Sequence, residues 1–382
     1  MILIVLLFYI NLYAKDFISL DLSGYYKENP KGYYYYNPEE VGAQAFFQPI
    51  QLVIEGGFGA LYNRNISDFG WSEGFEKVNH SVFNPIDVVS DYGWKKLLYY
   101  EFIPHLGKGQ NYIANWVWHF TALGMRSKLM QEYFKYNDYK YPRIMSIGTM
   151  YLLHYINELI QAEKFTDTRG SVDAIPDLFF FDWLGMIFFS FEPVNKIATK
   201  VFHLREWSNQ TMINPLTNRL MNNGQLFWAR INIWRNLSLS TLSGEQINSV
   251  NLTFEFANTH QVSLGIGGKV KTFLAGDSGD TNTEGFVYDV GLYYSINDNP
   301  VLTITYEPED KSEAEHDSLY DNEYTRKILI NLYPGLIDIN GFKPGITISF
   351  QKEAIFLGIS NSNWPIGFIT STPQKDKYLN AY

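Results

Sequence analysis

Beyond residue 225 the chain alternates apolar and polar side chains with a period of two, the mark of strands that face two different environments. In "FWARINIWRNLSLST", Phe227, Ala229, Ile231, Ile233, Leu237 and Leu239 alternate with Arg230, Asn232, Asn236 and Ser238. The pattern returns around Val250–Phe256, Val262–Val270, Phe286–Tyr294, Leu302–Tyr306, Ile328–Leu332, Ile346–Phe350 and Ile355–Ile359, which predicts eight strands in all. Their connections differ in kind: "ANTH" and "NDNP" are short, whereas "AGDSGDTNTEG" and "EPEDKSEAEHDSLYDNEYT" are long and polar. Counting strands alternately up and down places both short turns on one side and both long loops on the other, as in a bacterial outer-membrane barrel. Two connections run against that rule, a long "YPGLIDINGFKPG" on the turn side and a short "QKEA" on the loop side. A soluble β-sandwich also alternates, and the loop asymmetry is what favours the barrel. "GIGGK" at 265–269 lies inside a strand pattern and reads as a bend or close strand contact rather than a phosphate cradle.

Between about 84 and 200 the texture is helical. Residues 112–134, 142–164 and 175–191 are each long enough for three or more turns, with Pro142 and Pro176 near helix starts, where proline is tolerated. None offers 18 uninterrupted apolar residues, so the expectation is a compact helical bundle against a membrane or barrel wall rather than a spanning helix. Upstream, "FISLDLSGYY" and "AFFQPIQLVIEGGFGALY" look like strands separated by a turn-rich segment. The opening "MILIVLLFYINLYAKD" reads as a secretory signal with a small residue, Ala14, at its end. The expected organisation is a signal peptide at 1–14, N-terminal strands and loops at 15–83, a helical domain at 84–200 and an antiparallel barrel region at 201–382. The fold class is α+β: a membrane β-barrel of about eight or more strands with an inserted segment of about three helices.

Composition sharpens this picture. Aromatic residues make up 17% of the chain, with 28 Tyr and 28 Phe, and membrane barrels carry girdles of such residues at both interfaces. A formal charge of −10 without a basic patch argues against nucleic acid, whose phosphates are bound mainly by Lys and Arg. The absence of cysteine excludes disulfides, thiolate nucleophiles and Cys-ligated metals. Neither a P-loop nor a G-x-S-x-G nor a G-x-G-x-x-G that opens a helix is present.

Chemistry concentrates in the helices, where ionisable groups interrupt apolar runs. In "LLHYINELIQ", His154 and Glu158 are four apart and share a helix face, with Asn157 beside them. Asn115 and His119 have the same spacing on the preceding helix, and Asp173, Asp177 and Asp182 punctuate the next. Packed together, these helices would bring two imidazoles and up to four carboxylates into one place, and mutual pairing is expected because burying such groups singly costs several kcal/mol each. Three readings compete: His119, His154, Glu158 and Asp177 as an acid–base set or a divalent-metal site acting on a lipid-like substrate; the same groups as internal pairing that locks the helices; or separate groups facing water and helix ends. The pairing reading takes precedence because structural ion pairs outnumber active sites. The full H-E-x-x-H zinc pattern is absent, since Tyr155 follows His154. His80, His105 and His316 are isolated and expected to be exposed.

The ordered landmarks "FNPIDVVSDYG", "NWVWHFTALG", "HYINELIQ" and "GSVDAIPDLFFFDWLG" resemble an uncharacterised family of bacterial envelope proteins, and the last two also resemble VanZ-like membrane proteins. The resemblance covers roughly residues 83–190 and singles out Asn84, Pro85, His119, Glu158, Ser171, Asp177 and Gly185. The five-residue step from Asp177 to Asp182 departs from the four-residue step of the VanZ-like pattern. Asn115, Asn157, Ser171, Asp173 and Asp182 are the expected binding residues around the set. The expectation is an outer-membrane protein, with a periplasmic location as the alternative, contacting lipids and a small apolar ligand in a structural or binding role. A membrane-associated hydrolase and a diffusion pore are the rivals. No cofactor is implied beyond the divalent metal left open above, and the identity of any metal, the ligand and the oligomeric state are not encoded in a legible form.

Overall fold

A computed structural model describes residues 32–372 apart from 39–40, 60–65, 67–68, 104–114, 164–168, 245–246, 258, 271–272, 276–280, 284–285, 308–325 and 352–353. The expected signal peptide with Ala14, the strand-like "FISLDLSGYY", His105 and His316 lie outside those residues.

The helical part begins earlier than its texture suggests. Residues 45–62, read as a strand, instead contain helix α1, Pro49–Gly57. Its Ile/Val-rich stretch has strand propensity, but Pro49 opens the helix and Gln51, Leu52, Glu55 and Gly56 make a buried face of helical period. Gly56 and Gly57 let that face approach closely: a Cβ on Gly56 would stand 2.7 Å from Leu153. Then come α2 (Trp71–Phe83), α3 (Pro85–Tyr92) and α4 (Trp94–Leu97), the last running into a π-turn, Leu98–Phe102. Helix α5 joins a π-helical stretch, Asn115–Leu123, to a regular one, Gly124–Tyr136. Helix α6 is Pro142–Glu163, as its opening proline predicts. Helix α7 is built of Arg169–Pro176, a π-turn at Asp177–Phe181 and Asp182–Phe188, and α8 is Glu192–Lys200. The three predicted helices are therefore present within a larger bundle. Among the described residues no single helix is long and apolar enough to cross a membrane.

The strands are β1 (Arg205–Glu206), β2 (Met212–Asn214), β3 (Arg219–Met221), β4 (Leu226–Trp234), β5 (Leu237–Gly244), β6 (Asn248–Phe256), β7 (His260–Val270), β8 (Phe273–Ala275), β9 (Thr281–Thr283), β10 (Phe286–Ile296), β11 (Asn299–Tyr306), β12 (Arg326–Leu332), β13 (Pro344–Gln351), β14 (Ile355–Asn361) and β15 (Gly367–Ser371). Thirteen form one sheet in the order β1-β4-β5-β6-β7-β10-β11-β12-β13-β14-β15-β2-β3, and β8 and β9 pair separately. Neighbours are antiparallel except β15 with β2. The segment read as one strand from Phe227 to Leu239 is the hairpin β4–β5, with Trp234 opposite Leu237. Its two-residue turn contains neither Gly nor Pro and leaves the alternation unbroken, so the sequence shows no boundary there.

The sheet curls back on itself. Ten strands separate β1 from β2, which in a flat sheet would place them about 53 Å apart. Only residues 207–211 join them, and that link reaches about 21 Å at most. Backbone bonds extend the β1–β4 pairing into this link, from Trp207 N–H to Leu226 O at 2.8 Å and from Asn209 N–H to Gly224 O at 3.5 Å, while Gly367 N–H of β15 donates to Thr211 O at 2.9 Å. Side chains flanking β2 and β3 reach the inner face. Trp207 stacks on Trp228 at 4.1 Å, Gln210 bonds Leu332 O and Ser360, and Asn222 Nδ2 donates to Asn331 Oδ1 at 2.8 Å.

The two faces of the sheet have opposite chemistry, and the polar one is inside. Ser240, Asn251, Thr253, Ser263, Asn331 and Thr347 are buried and linked by hydrogen bonds such as Ser240–Thr253 at 2.7 Å and Thr253–Ser263 at 2.8 Å. Leu252, Leu264, Ile266, Tyr288 and Leu357 point outward, and Ile266 is 72% exposed. Within "GIGGK", a Cβ on Gly265 would collide with the buried Asn251 side chain, which explains that glycine by close strand contact. Phe256 and His260, and Ile296 and Asn299, end their strands at one rim of the sheet, and Val270 and Phe286, and Tyr306 and Ile328, pair toward the other. The long 333–343 connection has a packing partner: Leu336 joins Val41, Ile296 and Val301 in one cluster, and Gly335 lies against Val41.

The helices lie against the outside of the seam rather than within the sheet. Phe227, on the outward face of β4, belongs to the helical core with Leu52, Met125, Leu129, Met150 and Leu153. A buried ion pair fastens the contact: Arg126 of α5 reaches Glu206 of β1 and Ser208, with Glu55 of α1 at 3.5 Å.

Candidate functional site

Three helices supply the site, each through a local irregularity or a regular spacing. His154 and Glu158 are i and i+4 on α6, so they stand on one face, and His154 Nε2 lies 3.1 Å from Glu158 Oε1. His119 comes from the π-helical half of α5. Asp177 and Asp182 bracket the π-turn of α7, where the Asp182 N–H donates to Asp177 O. That i to i+5 bond resolves the five-residue step that looked out of phase: in an α-helix these side chains would diverge, but a π-turn holds one more residue and returns them to the same face.

The five groups converge. His154 Nδ1–H donates to Asp182 Oδ2 in a short bond, and His119 Nδ1 lies 3.8 Å from the other oxygen of Asp182. His119 Nε2 is 3.4 Å from Asp177 Oδ2. The two imidazoles stack with centroids 4.4 Å apart and planes 13° from parallel. His154, Glu158, Asp177 and Asp182 are each 1–2% exposed, while His119, partly accessible, is the outermost member. Four buried atoms in this space have no hydrogen-bond partner: His154 Nε2, Glu158 Oε1, Asp177 Oδ1 and Asp182 Oδ1.

The electrostatics divide the pairs. Burial alone would lower the His154 imidazole, but Asp182 on one side and Glu158 on the other outweigh it and hold it well above its ordinary value. Burial, and then the charge on His154, push His119 down. For Asp182, burial acts upward but is overcome by His154 and His119, which keep the carboxyl low. Burial, reinforced by the negative charges of Asp173 and Glu158, raises Asp177 well above the usual carboxylate range. The result is two imidazoles in contact whose proton affinities are driven apart, the arrangement that assigns acid and base roles in a site. The same residues form two sets with metal-ligand spacing, His119/His154/Asp182 and His154/Glu158/Asp177, each with its ligand atoms within 4.8 Å of one another.

Of the sequence-predicted residues, His119, His154, Glu158, Asp177 and Asp182 come together, and Asp182 is the hub of the group rather than a peripheral member. Asp173 acts on Asp177 through its charge. Asn115 belongs to a supporting layer, its Nδ2 donating to Glu101 O and Oε2, both at 3.0 Å. Asn157 Nδ2 donates to Gly56 O at 3.0 Å, which ties α6 to α1. The side chain of Ser171 lies outside the described residues. Asn84 and Pro85 form the corner between α2 and α3, and His80 is exposed as expected. Gly185 lets α7 meet α5, since a Cβ there would stand 2.3 Å from Phe120 O. Glu101, fully buried near the cluster, was missed. The signal was available, because Glu101 interrupts the apolar "LLYYEFI" just as Glu158 interrupts its own helix.

No protein-family model, curated protein or solved structure matches this chain.

Proposed function

We propose that the protein is an integral outer-membrane β-barrel whose helical unit holds a small lipid-like ligand at the His119/His154/Asp182 cluster. The observation that carries this reading is the inverted polarity of the sheet, with Ile266, Leu264 and Tyr288 exposed and Ser263, Asn251 and Thr253 buried. In water that arrangement leaves an apolar belt unburied, whereas a bilayer is the solvent it matches. A soluble sandwich would need the reverse, with its apolar faces packed on each other. The sequence lengths of the connections, short between β6 and β7 and between β10 and β11 and long between β7 and β10 and between β11 and β12, support the same orientation, with the short-turn rim toward the periplasm. Exposed aromatic residues on the site helices, among them Trp116, Phe179, Phe180 and Trp183, give an apolar approach to the cluster. A diffusion pore is not adopted, because Trp207, Gln210 and Asn222 pack across the inner face.

The test is membrane fractionation with gel mobility before and after heating. The expected protein sediments with outer membranes and migrates faster unheated than heated. Recovery in the soluble periplasmic fraction, with mobility indifferent to heating, would sink the proposal.

A second reading, a membrane-associated hydrolase, is favoured by the four unpartnered atoms, since groups that served only to lock helices would satisfy one another. His119 is the outermost proton acceptor and His154–Asp182 the pair that orients it, as acid–base chemistry on a lipid ester or phosphoester requires. Release of fatty acid or phosphate from lipid substrates by the purified protein, lost in His119→Ala, checks it; equal turnover by that variant removes it.

A further inference from the structure

We infer that His154 Nε2, Glu158 and Asp177 form a binding site for one divalent cation, of the class that prefers mixed imidazole and carboxylate ligands, with Zn²⁺ foremost. The site deepens the reading of the cluster as functional and does not depend on the sheet lying in a membrane.

The argument starts from satisfaction. His154 Nε2, Glu158 Oε1 and Asp177 Oδ1 are three of the four buried atoms of the cluster without a hydrogen-bond partner. Their residues form one set in which a ligand atom from each lies within 4.8 Å of the others. Their residues are 1–2% exposed, so bulk water does not serve them. Glu158 Oε1 and His154 Nε2 are 3.1 Å apart yet are not aligned as donor and acceptor. Such a distance suits two ligands of one ion, because donors each about 2.0–2.2 Å from zinc stand roughly 3–3.6 Å from each other. A cation would satisfy all three atoms in one step.

The surroundings are those of a metal-bound histidine. A ligating imidazole ordinarily donates its other N–H to a carboxylate, which fixes its tautomer and direction. His154 Nδ1–H donates to Asp182, which leaves Nε2 for the metal. Asp182 is then a positioning residue, held from the far side by the stacked His119, whose Nδ1 is 3.8 Å from Asp182 Oδ1. One nitrogen and two carboxylates leave coordination positions free, as sites that also take water or substrate do. Imidazole in the set selects against Mg²⁺ and Ca²⁺, which favour oxygen ligands throughout.

The test uses the full chain, purified in detergent, stripped with chelator and titrated with ZnCl₂ by calorimetry, with elemental analysis after dialysis. One Zn²⁺ per chain is expected. Glu158→Gln and Asp177→Asn should each weaken binding by about 100-fold, and Asp182→Asn by roughly 10–100-fold, the usual effect of removing a carboxylate behind a ligating histidine. The exposed His80→Ala is the control and should bind like the parent. Folding of every variant is followed by circular dichroism. Where a ligand variant does not fold, X-ray absorption of the Zn²⁺-loaded parent decides, with one imidazole and otherwise oxygen neighbours expected. The inference is overturned if the folded parent takes up no stoichiometric zinc, if folded Glu158→Gln and Asp177→Asn bind as the parent does, or if the absorption spectrum shows no imidazole. Loss of zinc binding with the protein still in the membrane fraction would leave the barrel reading intact, and a soluble protein that binds zinc would do the opposite.

Discussion

At the scale of single residues, the cluster turns on Asp182. Its carboxylate faces both imidazoles, and its effect on His154 is the reason two stacked rings differ. In the metal-free protein, histidine NMR should show His154 titrating above 6.5 and His119 below it. Asp182→Asn should bring His154 down toward or below 6.5, and an unchanged titration would remove the pair as the cause. The same pair shapes stability. Asp182 has a lowered folded value, so its contribution is present above the ordinary 3.8 and is lost as pH falls through the folded value. His154 has a raised folded value, so its contribution is complete below 6.5 and is lost as pH rises through the folded value. Between those limits, Asp182→Asn should cost ~3–5 kcal/mol in denaturant unfolding of the metal-free protein, as removal of one partner from a buried pair does. The deficit should shrink toward both ends of the pH range.

At the scale of elements, the site depends on α5 and α7 approaching more closely than ordinary side chains allow. A Cβ on Gly124 of α5 would stand 2.7 Å from Gly185 O, and one on Gly185 of α7 would stand 2.3 Å from Phe120 O. For Gly185 the obstacle is backbone, which cannot swing aside; for Gly124 it is the Phe189 ring at 2.6 Å as well as backbone. Gly185→Ala should therefore push α7 from α5, destabilise the fold by about 1–3 kcal/mol, and abolish the separation of the two histidine titrations. A thermal melt together with the same NMR experiment checks this; a melt lowered with the titrations unchanged would show that the helix spacing does not set the site. Among the described residues three irregular stretches in this unit are π-helical; two of them carry His119 and Asp177, and Asp182 follows directly on the second. Such bulges accompany functional sites more often than chance, because inserting one residue re-aims side chains at a cost in helix stability.

At the scale of the whole molecule, the helical unit and the sheet share a seam. Arg126 joins α5 to β1 through Glu206 with no exposure to solvent, so Arg126→Met should leave buried carboxylates uncompensated and cost ~3–5 kcal/mol. Urea unfolding followed at the sheet and at the helices should show both losing stability together, if the seam couples them. The outer belt makes a separate prediction. Leu252→Arg and Ile266→Arg should destabilise the protein in lipid vesicles by about 2–4 kcal/mol, with smaller effects for charges near either rim. If both variants fold in vesicles as the parent does, those side chains do not face the bilayer.

Much of this architecture was legible in one dimension, because burial has a period. The two-residue alternation located most of the strands and the loop asymmetry ordered their connections; apolar runs with an initial proline marked α6, and ionisable groups inside such runs pointed to His119, His154, Glu158 and Asp177. What the sequence determined was therefore the type of element and the residues that burial would make costly. It did not reveal α1, whose β-branched residues mask a helical face decided by contact with α6, nor the β4–β5 turn, which keeps the alternation in phase. The face on which Asp182 stands was decided only by the π-turn, since residue spacing converts to direction only when the local helix type is known. The outward direction of the apolar strand face was likewise tertiary: alternation gives two faces, and only the curl of the sheet and the packing of Gln210 and Asn222 against its polar face bury that face.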